Sequence, residues 1–558
     1  MSSIYKKRNL ILGFLIVICA VILFVFLAYE RNNTFAFSKG SGFYDSDFYL
    51  KIYQPAGSTV YYTLDGSVPT DKSAKYTEPI LITDASVNPN RYSNIKDVSL
   101  FFCDTDDFKD CYAQWGKLPA VPDENVDKCT VVRAICVEED GTVFDEIVSS
   151  YFVGYDFRKE YDGMKVISLI SDPEGLFSYE TGINVLGATF DENDFDSGID
   201  WLQLAANYKN RGREWERETY FQLFDENKDF VFSQKCGMRV HGRASRNNNA
   251  KSYNLYARKE YDGNSNFKYD FWNTGYYPDA FVLYSCGQDT ASMIRDRMVC
   301  ELTEELSMAR CHYTPCIIFL DGEYWGFRYI CEKIDEDYFD HYYGIDQKDI
   351  VELKFRNDNP MELGTIENDS EKITNYAACM MGKHNPSASM EFFNENFDRD
   401  SILDYFALMI YIARGNDWPN TNFAYFSSVS NGSGYADGKW RAVLFDVYLD
   451  SLSSPGFDTI DWTVERSPLF EFLWDDESFR KDLYDRIQYI DSVCFEDGRV
   501  DEYLDNYIDE YSPIIEKHLD RFFGDNMTMD DFYMDVQKIR DFLHKRHEFF
   551  EENKNMFE

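Results

Sequence analysis

Positive charge is scarce in this sequence: 56 Lys and Arg stand against 98 Asp and Glu, a formal net charge of −42. The deficit runs along the whole chain rather than sitting in one tail. It excludes nucleic acid and anionic lipid headgroups as partners, because both demand concentrated positive charge. Short-spaced metal-binding pairs are missing too, with no Cys-x-x-Cys and no Cys/His spacing of the zinc type, which argues against a structural zinc module. Neither a Gly-x-Ser-x-Gly elbow nor a His-Glu-x-x-His helix occurs, so two common routes to hydrolysis are absent. There is no Walker motif and no internal repeat.

What is present is bulk and apolar material. The chain has 558 residues, of which 44% are hydrophobic and 17% aromatic. A chain this long divides into two or three globular units, and this composition is far from that of a disordered one. Lys6, Lys7 and Arg8 precede an uncharged run from Leu10 to Tyr29, closed by Glu30 and Arg31. Twenty apolar residues in a helix span roughly 30 Å, the depth of a bilayer core. With the basic flank inside, the expectation is a cytoplasmic tail over 1–8, a single transmembrane anchor over 9–29, and everything downstream exported to the outer side of the cell membrane. The run is long for a cleaved signal peptide and no small-x-small site directly follows it.

There are 13 cysteines. An oxidising exterior permits disulfides, and Cys103 and Cys111 flank a short polar loop where they could pair. Cys129 and Cys136 lie on one predicted strand at an odd offset, so they point to opposite faces and do not bond each other. Buried free thiols remain the alternative for most of them.

From about 41 to 155 the sequence reads as short strands: Ser58–Leu64 ending in Asp65-Gly66, Lys75–Thr83, Thr130–Val137 before Asp140-Gly141, and a last strand to Val153. Turn chemistry and β-branched or aromatic enrichment predict a small β-sandwich. Between Ser86 and Asp127 lies an acidic insertion with Pro119 and Pro122, expected as a surface excursion. The stretch TVYYTLDGSVPTDKSAKYTEPILIT with the later VVRAICVEEDG resembles the chitobiase C-terminal-like β-sandwich module. The resemblance implies spacing or surface interaction rather than catalysis. Tyr61 and Tyr62 read as cross-strand packing more readily than as a sugar platform.

Residues 160–558 form the second unit. Strand-like runs continue to about residue 330, interrupted by a helix over Ser292–Leu306 and closed by a hairpin at Asp321-Gly322. Helices dominate from 335, apart from one hairpin over Asn422–Phe426 and Lys439–Phe445, and residues 475–555 are amphipathic helix. Strands first and helices later make this unit α+β with two lobes.

Two loops there have the residues for chemistry. GNDWPNTN, residues 415–422, joins a helix to a strand, and KWRAVLFD, residues 439–446, delivers Asp446 at a strand end. Period-two alternation puts Trp440, Ala442, Leu444 and Asp446 on one face, an aromatic plate beside a carboxylate. Phosphoryl transfer needs one carboxylate to orient the attacking hydroxyl, a carboxylate and an amide oxygen for Mg²⁺, and a cation on the phosphates. Asp417 suits the first role, and Asp446 with Asn422 the second. Either aspartate alone reads more readily as a turn or helix cap; together on facing loops they point to a site. Upstream, MRVHGRASR turns after a strand, with Ser245, Arg246 and backbone N–H groups to offer phosphate. Its two glycines, Gly237 and Gly242, do not make a Gly-x-Gly-x-x-Gly loop. Lys251, at the next strand's start, could face phosphate or simply be solvated. His241, His312 and His341 stand singly without ligand spacing.

The ordered set VISLISDPEGLFSYETGINVLG, GMRVHGRASRNNNAKSYNLYARKEY, MIRDRMVCEL, FLDGEYWGFRYICEKIDEDYF, GNDWPNTN and KWRAVLFDVYLD is similar to the CotH kinase family, the spore-coat protein H-like kinases. That resemblance spans roughly 165–455. It implies a divergent protein-kinase-like fold that takes phosphate from ATP with Mg²⁺ or Mn²⁺ and passes it to Ser or Thr hydroxyls of exported or surface proteins. It also implies roles: Asp417 catalytic, Asp446 metal-binding, Trp440 stacked on adenine, Lys251 facing phosphate, and Glu332 an invariant acid. Either Glu332 or Glu301 is left as the partner of Lys251. The chain departs from the family's Asp-x-Asp-x-Gly pattern, reading Asp446-Val447-Tyr448-Leu449-Asp450. The missing second carboxylate keeps an inactive pseudokinase serving as a surface scaffold or carbohydrate contact as the alternative; glycan processing by paired carboxylates ranks below both.

Overall fold

The structure is a computed structural model and describes residues 34–102, 118–144, 146–154, 159, 161–194, 202–355, 389–415, 418–419, 423–429, 432–447, 449, 451–553 and 557. The predicted anchor over 9–29 and the pair Cys103 and Cys111 lie outside these residues. Among the described residues no helix is long and apolar enough to cross a membrane.

The first unit contains β1 (Ala36–Phe37), β2 (Gly42–Tyr44), β3 (Phe48–Leu50), β4 (Ile52–Tyr53), β5 (Thr59–Thr63), β6 (Ala74–Lys75), β7 (Ile80–Ile82), β8 (Thr130–Val137) and β9 (Ile147–Val153). A five-stranded sheet in the order β2-β9-β8-β5-β6 faces two small sheets, β3-β7 and β1-β4. Leu50, Val60, Ile82, Val132, Ala134 and Tyr151 fill the space between them. The predicted strand Thr130–Val137 is β8 residue for residue. Lys75–Thr83, expected as one strand, is broken into the end of β6 and all of β7.

The second unit opens with a closed barrel of β10 (Lys165–Ser171), β11 (Arg217–Phe224), β12 (Phe230–His241), β13 (Ser252–Tyr256), β14 (Ala280–Tyr284), β15 (Tyr313–Leu320) and β16 (Glu323–Glu332). Closure comes from a parallel pairing of β10 with β15, Lys165 opposite Cys316 through Leu169 opposite Leu320. A barrel interior must be filled by side chains, and here Phe221, Leu255, Phe281, Cys316, Ile318 and Ile330 are wholly buried. Helix α1 (Arg295–Leu302) follows β14, and its Asp296 bonds Tyr284 at the end of that strand.

The remainder is helical around a small sheet of β17 (Ile350–Phe355), β18 (Phe423–Ser428) and β19 (Arg441–Val443). Its main helices are α2 (Glu336–Tyr343), α3 (Arg399–Tyr411), α4 (Glu477–Tyr489), α5 (Asp497–Phe522) and α6 (Met529–Glu552). Along α5 the buried positions Val500, Leu504, Tyr507, Tyr511, Ile515 and Phe522 recur at helical spacing and line one face. A capping box of Thr528 and Asp531 starts α6.

The sandwich and the barrel share a core rather than a linker. Phe43 and Phe152 of the sandwich stack at 4.3 Å, and Phe152 meets Phe319 of the barrel edge-on at 4.9 Å. At the β15–β16 turn, Gly322 (φ 88°) brings its backbone so near the sandwich that an added Cβ would lie 2.6 Å from the Cys129 carbonyl. Beside it the buried carboxylate of Glu323 accepts hydrogen bonds from the backbone N–H groups of Arg91, Tyr92 and Ser93. The expectation of a surface excursion between Ser86 and Asp127 is therefore corrected for its described residues. Tyr92, Leu100 and Phe101 are buried against the barrel because they cover apolar surface that the strands leave open. Eight described cysteines are buried and form no disulfide, Cys129 and Cys136 among them as the strand offset requires, and Cys311 is half-buried.

Candidate functional site

The loop after β12 is built by saturation. Arg246 is buried, its Nε donating to the Gly242 carbonyl at 2.7 Å and its Nη1 to the carbonyls of Tyr208, Lys209 and Asn210 at 3.1–3.2 Å. Lys251 is 1% exposed. Its ammonium donates to the carbonyls of Val98 (2.6 Å), Arg246 (2.6 Å) and Asn248 (3.0 Å) and lies 3.9 Å from the centre of the Tyr208 ring. Burial first, then the nearby Arg246 and Lys209 cations, push it well below the ordinary lysine pKa. The loop does bring Ser245, Arg246 and Lys251 together, with Ser245 half-exposed. Yet the phosphate-facing role expected of Lys251 and Arg246 is corrected, because their donors are turned onto backbone carbonyls. Val98, from the insertion, supplies one of these, and no local sequence signal reveals it.

Neither acid expected beside Lys251 is its partner. Glu332 accepts from the His312 backbone N–H (2.6 Å), bonds His312 Nδ1 (2.5 Å) and accepts from the Tyr342 hydroxyl (2.9 Å). That bond raises the His312 pKa. Glu301 pairs with Arg297 (2.8 Å) and accepts from Tyr503 (2.5 Å). Of the other histidines, His241 bonds Asn254 at 3.0 Å and His341 stacks on Tyr276. Among the described residues no group of three or more His, Cys, Asp or Glu forms a metal cage.

Trp440 is also corrected. It is 1% exposed and packed in the core, its backbone bonded to Asn396 and Asp398, so its ring offers no face for a base. The strand alternation that was to align it with Asp446 ends at Val443. Asp446 itself is exposed, in a left-handed conformation (φ 55°) that turns it away from the strand line. Asp417, Asn422, Tyr448 and Asp450 lie outside the described residues. Their neighbour Trp418 is an anchor: its Nε1 donates to the Tyr405 hydroxyl (3.0 Å) and its carbonyl accepts from Trp462 Nε1 (2.7 Å).

A further carboxylate is one that sequence reasoning passed over. Asp296 sits in the first turn of α1 and is 7% exposed. Its Oδ2 accepts from the Tyr284 hydroxyl at 2.5 Å, and its Oδ1 has no hydrogen-bond partner among the described residues. Burial first, then repulsion by the Asp446 carboxylate, push its pKa up to about 7. Asp289 caps the helix start, accepting from Ser292 Oγ and from the N–H groups of Ile294 and Arg295. Arg295 reaches from α1 to Asp535 of α6 (2.5 Å) and donates to the Leu449 carbonyl (3.3 Å). That tie holds Leu449 beside the helix. A narrow crevice results, lined by Tyr284, Asp289, Arg295, Asp296, Tyr313 and Tyr329. A buried carboxylate oxygen without a partner suits a hard divalent cation, which takes oxygen ligands, but Arg295 and Arg297 line the same crevice. A first-turn aspartate in a helix reads as a dipole partner; the only clue to more was the carboxylate missing at Tyr448.

A family model described as CotH kinase protein matches residues 238–550, more than half of the chain. A second, described as chitobiase/beta-hexosaminidase C-terminal domain, matches residues 39–88, the first part of the sandwich. Comparison with curated proteins gives no match.

Proposed function

The chain belongs to the CotH kinase protein family, and on that premise we propose that it is an atypical, metal-dependent kinase that moves phosphate from ATP to Ser or Thr hydroxyls of proteins outside the cytoplasm. The observation that supports this reading most is the buried Asp296 carboxylate on α1, whose Oδ1 has no hydrogen-bond partner among the described residues and which feels the charge of Asp446. When bound, Mg²⁺ or Mn²⁺ supplies charge neutralisation for the transferred phosphoryl group. Asp446, with Asn422, would hold it. Asp417, which precedes the anchored Trp418 in sequence, would orient the acceptor hydroxyl. The uncharged run from Leu10 to Tyr29 supports an exported, tethered location.

The test is incubation of the purified chain with γ-labelled ATP and Mg²⁺ or Mn²⁺. Label transfer, abolished by Asp417→Ala and by Asp446→Ala, is expected. Absence of nucleotide binding would leave the second reading, an inactive scaffold. One observation favours that reading: Lys251, Arg246 and Trp440 are all consumed by internal packing.

A further inference from the structure

Arg546 of α6 is wholly buried and spends its guanidinium on backbone carbonyls. Its Nε donates to the Tyr411 carbonyl (2.7 Å) and its Nη2 to the Ile410 carbonyl (2.8 Å), so it caps the end of α3 from outside. Its Nη1 reaches the carbonyls of Pro455 (2.5 Å) and Phe457 (3.1 Å). One side chain thereby fastens two remote segments. The first leaves α3 through Ala413, which is buried in a left-handed conformation (φ 51°). A residue with a Cβ stays in that conformation only where its surroundings over-determine it. Gly415 then passes so near the second segment that an added Cβ would lie 3.2 Å from the Phe457 ring. The Trp462 indole N–H donates to the Trp418 carbonyl at 2.7 Å, and Trp462 meets Phe457 edge-on at 5.5 Å.

We propose that Arg546 and Trp462 are positioning residues that fix the backbone at Ala413, Gly415 and Trp418, the residues that bracket Asp417 in sequence. The inference rests on the kinase reading and deepens it, because Asp417 is the group that would orient the acceptor hydroxyl. Neither side chain touches a reactant in this role. Arg546 supplies direction: a planar fork with five donors matches four carbonyls on two segments, and the single ammonium of a lysine does not. A displacement of about 1 Å that originates far from the chemistry is enough to lower a rate about a hundredfold.

The experiment compares Arg546→Lys and Trp462→Phe with the unaltered full chain, using labelled ATP and Mn²⁺. Glu323→Gln, at the contact with the sandwich, is the control that loosens the chain elsewhere. In Arg546→Lys, kcat is expected to fall about a hundredfold, with KM for ATP and binding of a non-hydrolysable ATP analogue unchanged. Trp462→Phe keeps a ring against Phe457 and removes one hydrogen bond, so its kcat should fall about tenfold with the same signature. Hydrogen exchange is followed at the amides of Ala413, Arg414 and Trp418, which bond to the carbonyls of Ile410, Met409 and Gly415. It should quicken in both variants and stay as it was in Glu323→Gln. Variants that fold and keep both kcat and this exchange pattern overturn the inference while the kinase reading stands. If Arg546→Lys does not fold, Trp462→Phe decides by the same two readouts. If the unaltered chain transfers no phosphate, the kinase reading falls, and exchange alone decides whether these residues set the turn.

Discussion

Two buried charged groups of the barrel unit behave in opposite ways. Lys251 has every donor spent on a carbonyl, whereas Asp296 has an acceptor left over. Both are nearly inaccessible, so burial alone does not tell a structural charge from a working one. The difference lies in satisfaction. A buried charge whose bonds are complete stabilises its surroundings, and one left incomplete is a place where something else belongs.

The strongest way to break this contrast is at Lys251. Lys251→Met strips three carbonyls of their donor and should destabilise the chain by about 3 kcal/mol in chemical denaturation, leaving nucleotide affinity unaltered once folded. A variant as stable as the original but unable to bind nucleotide would reverse the assignment. Glu323 extends the same logic to the sandwich. Glu323→Gln keeps an acceptor but loses the charge that gathers three N–H groups, and about 2 kcal/mol should go with it in thermal unfolding.

Asp296 should respond with the other sign. Without metal, Asp296→Asn removes repulsion from Asp446, and the melting temperature should rise by the equivalent of about 1 kcal/mol. A fall instead would mean that Asp296 is as fully bonded as Lys251. The smallest effect concerns the His312–Glu332 pair. The folded pKa of His312 is raised, so its contribution is complete below the unfolded value of 6.5 and disappears as pH climbs through the folded one. With the imidazole side chain 49% exposed, solvent screening limits this to about 0.5 kcal/mol. His312→Gln should flatten the stability profile above pH 6.5 and nothing more.

Much of the architecture was legible because it is local. Strand β8 announced itself by β-branched residues between turn signals, and α5 by the spacing from Val500 to Phe522. Closure of the barrel was not, because the β10–β15 pairing joins segments about 150 residues apart by register that no local pattern encodes. The candidate site divides in the same way. Asp446 was visible as a carboxylate at a strand end, and the family pattern singled it out. The partner of Lys251 was not visible, since the Val98 carbonyl approaches from an insertion more than 150 positions away. Asp296 was hidden by resembling an ordinary first-turn acid, its meaning set by Tyr284 and the orphaned oxygen.

The closed ring of seven strands carries a consequence for how a protein substrate of the proposed kinase would be gripped. With β10 sewn to β15, the ring has no free rim onto which an extended polypeptide could be stitched as an extra strand. Any preference for one acceptor over another would then be written in side chains of loops and helix ends, where it can drift quickly while the scaffold beneath stays the same.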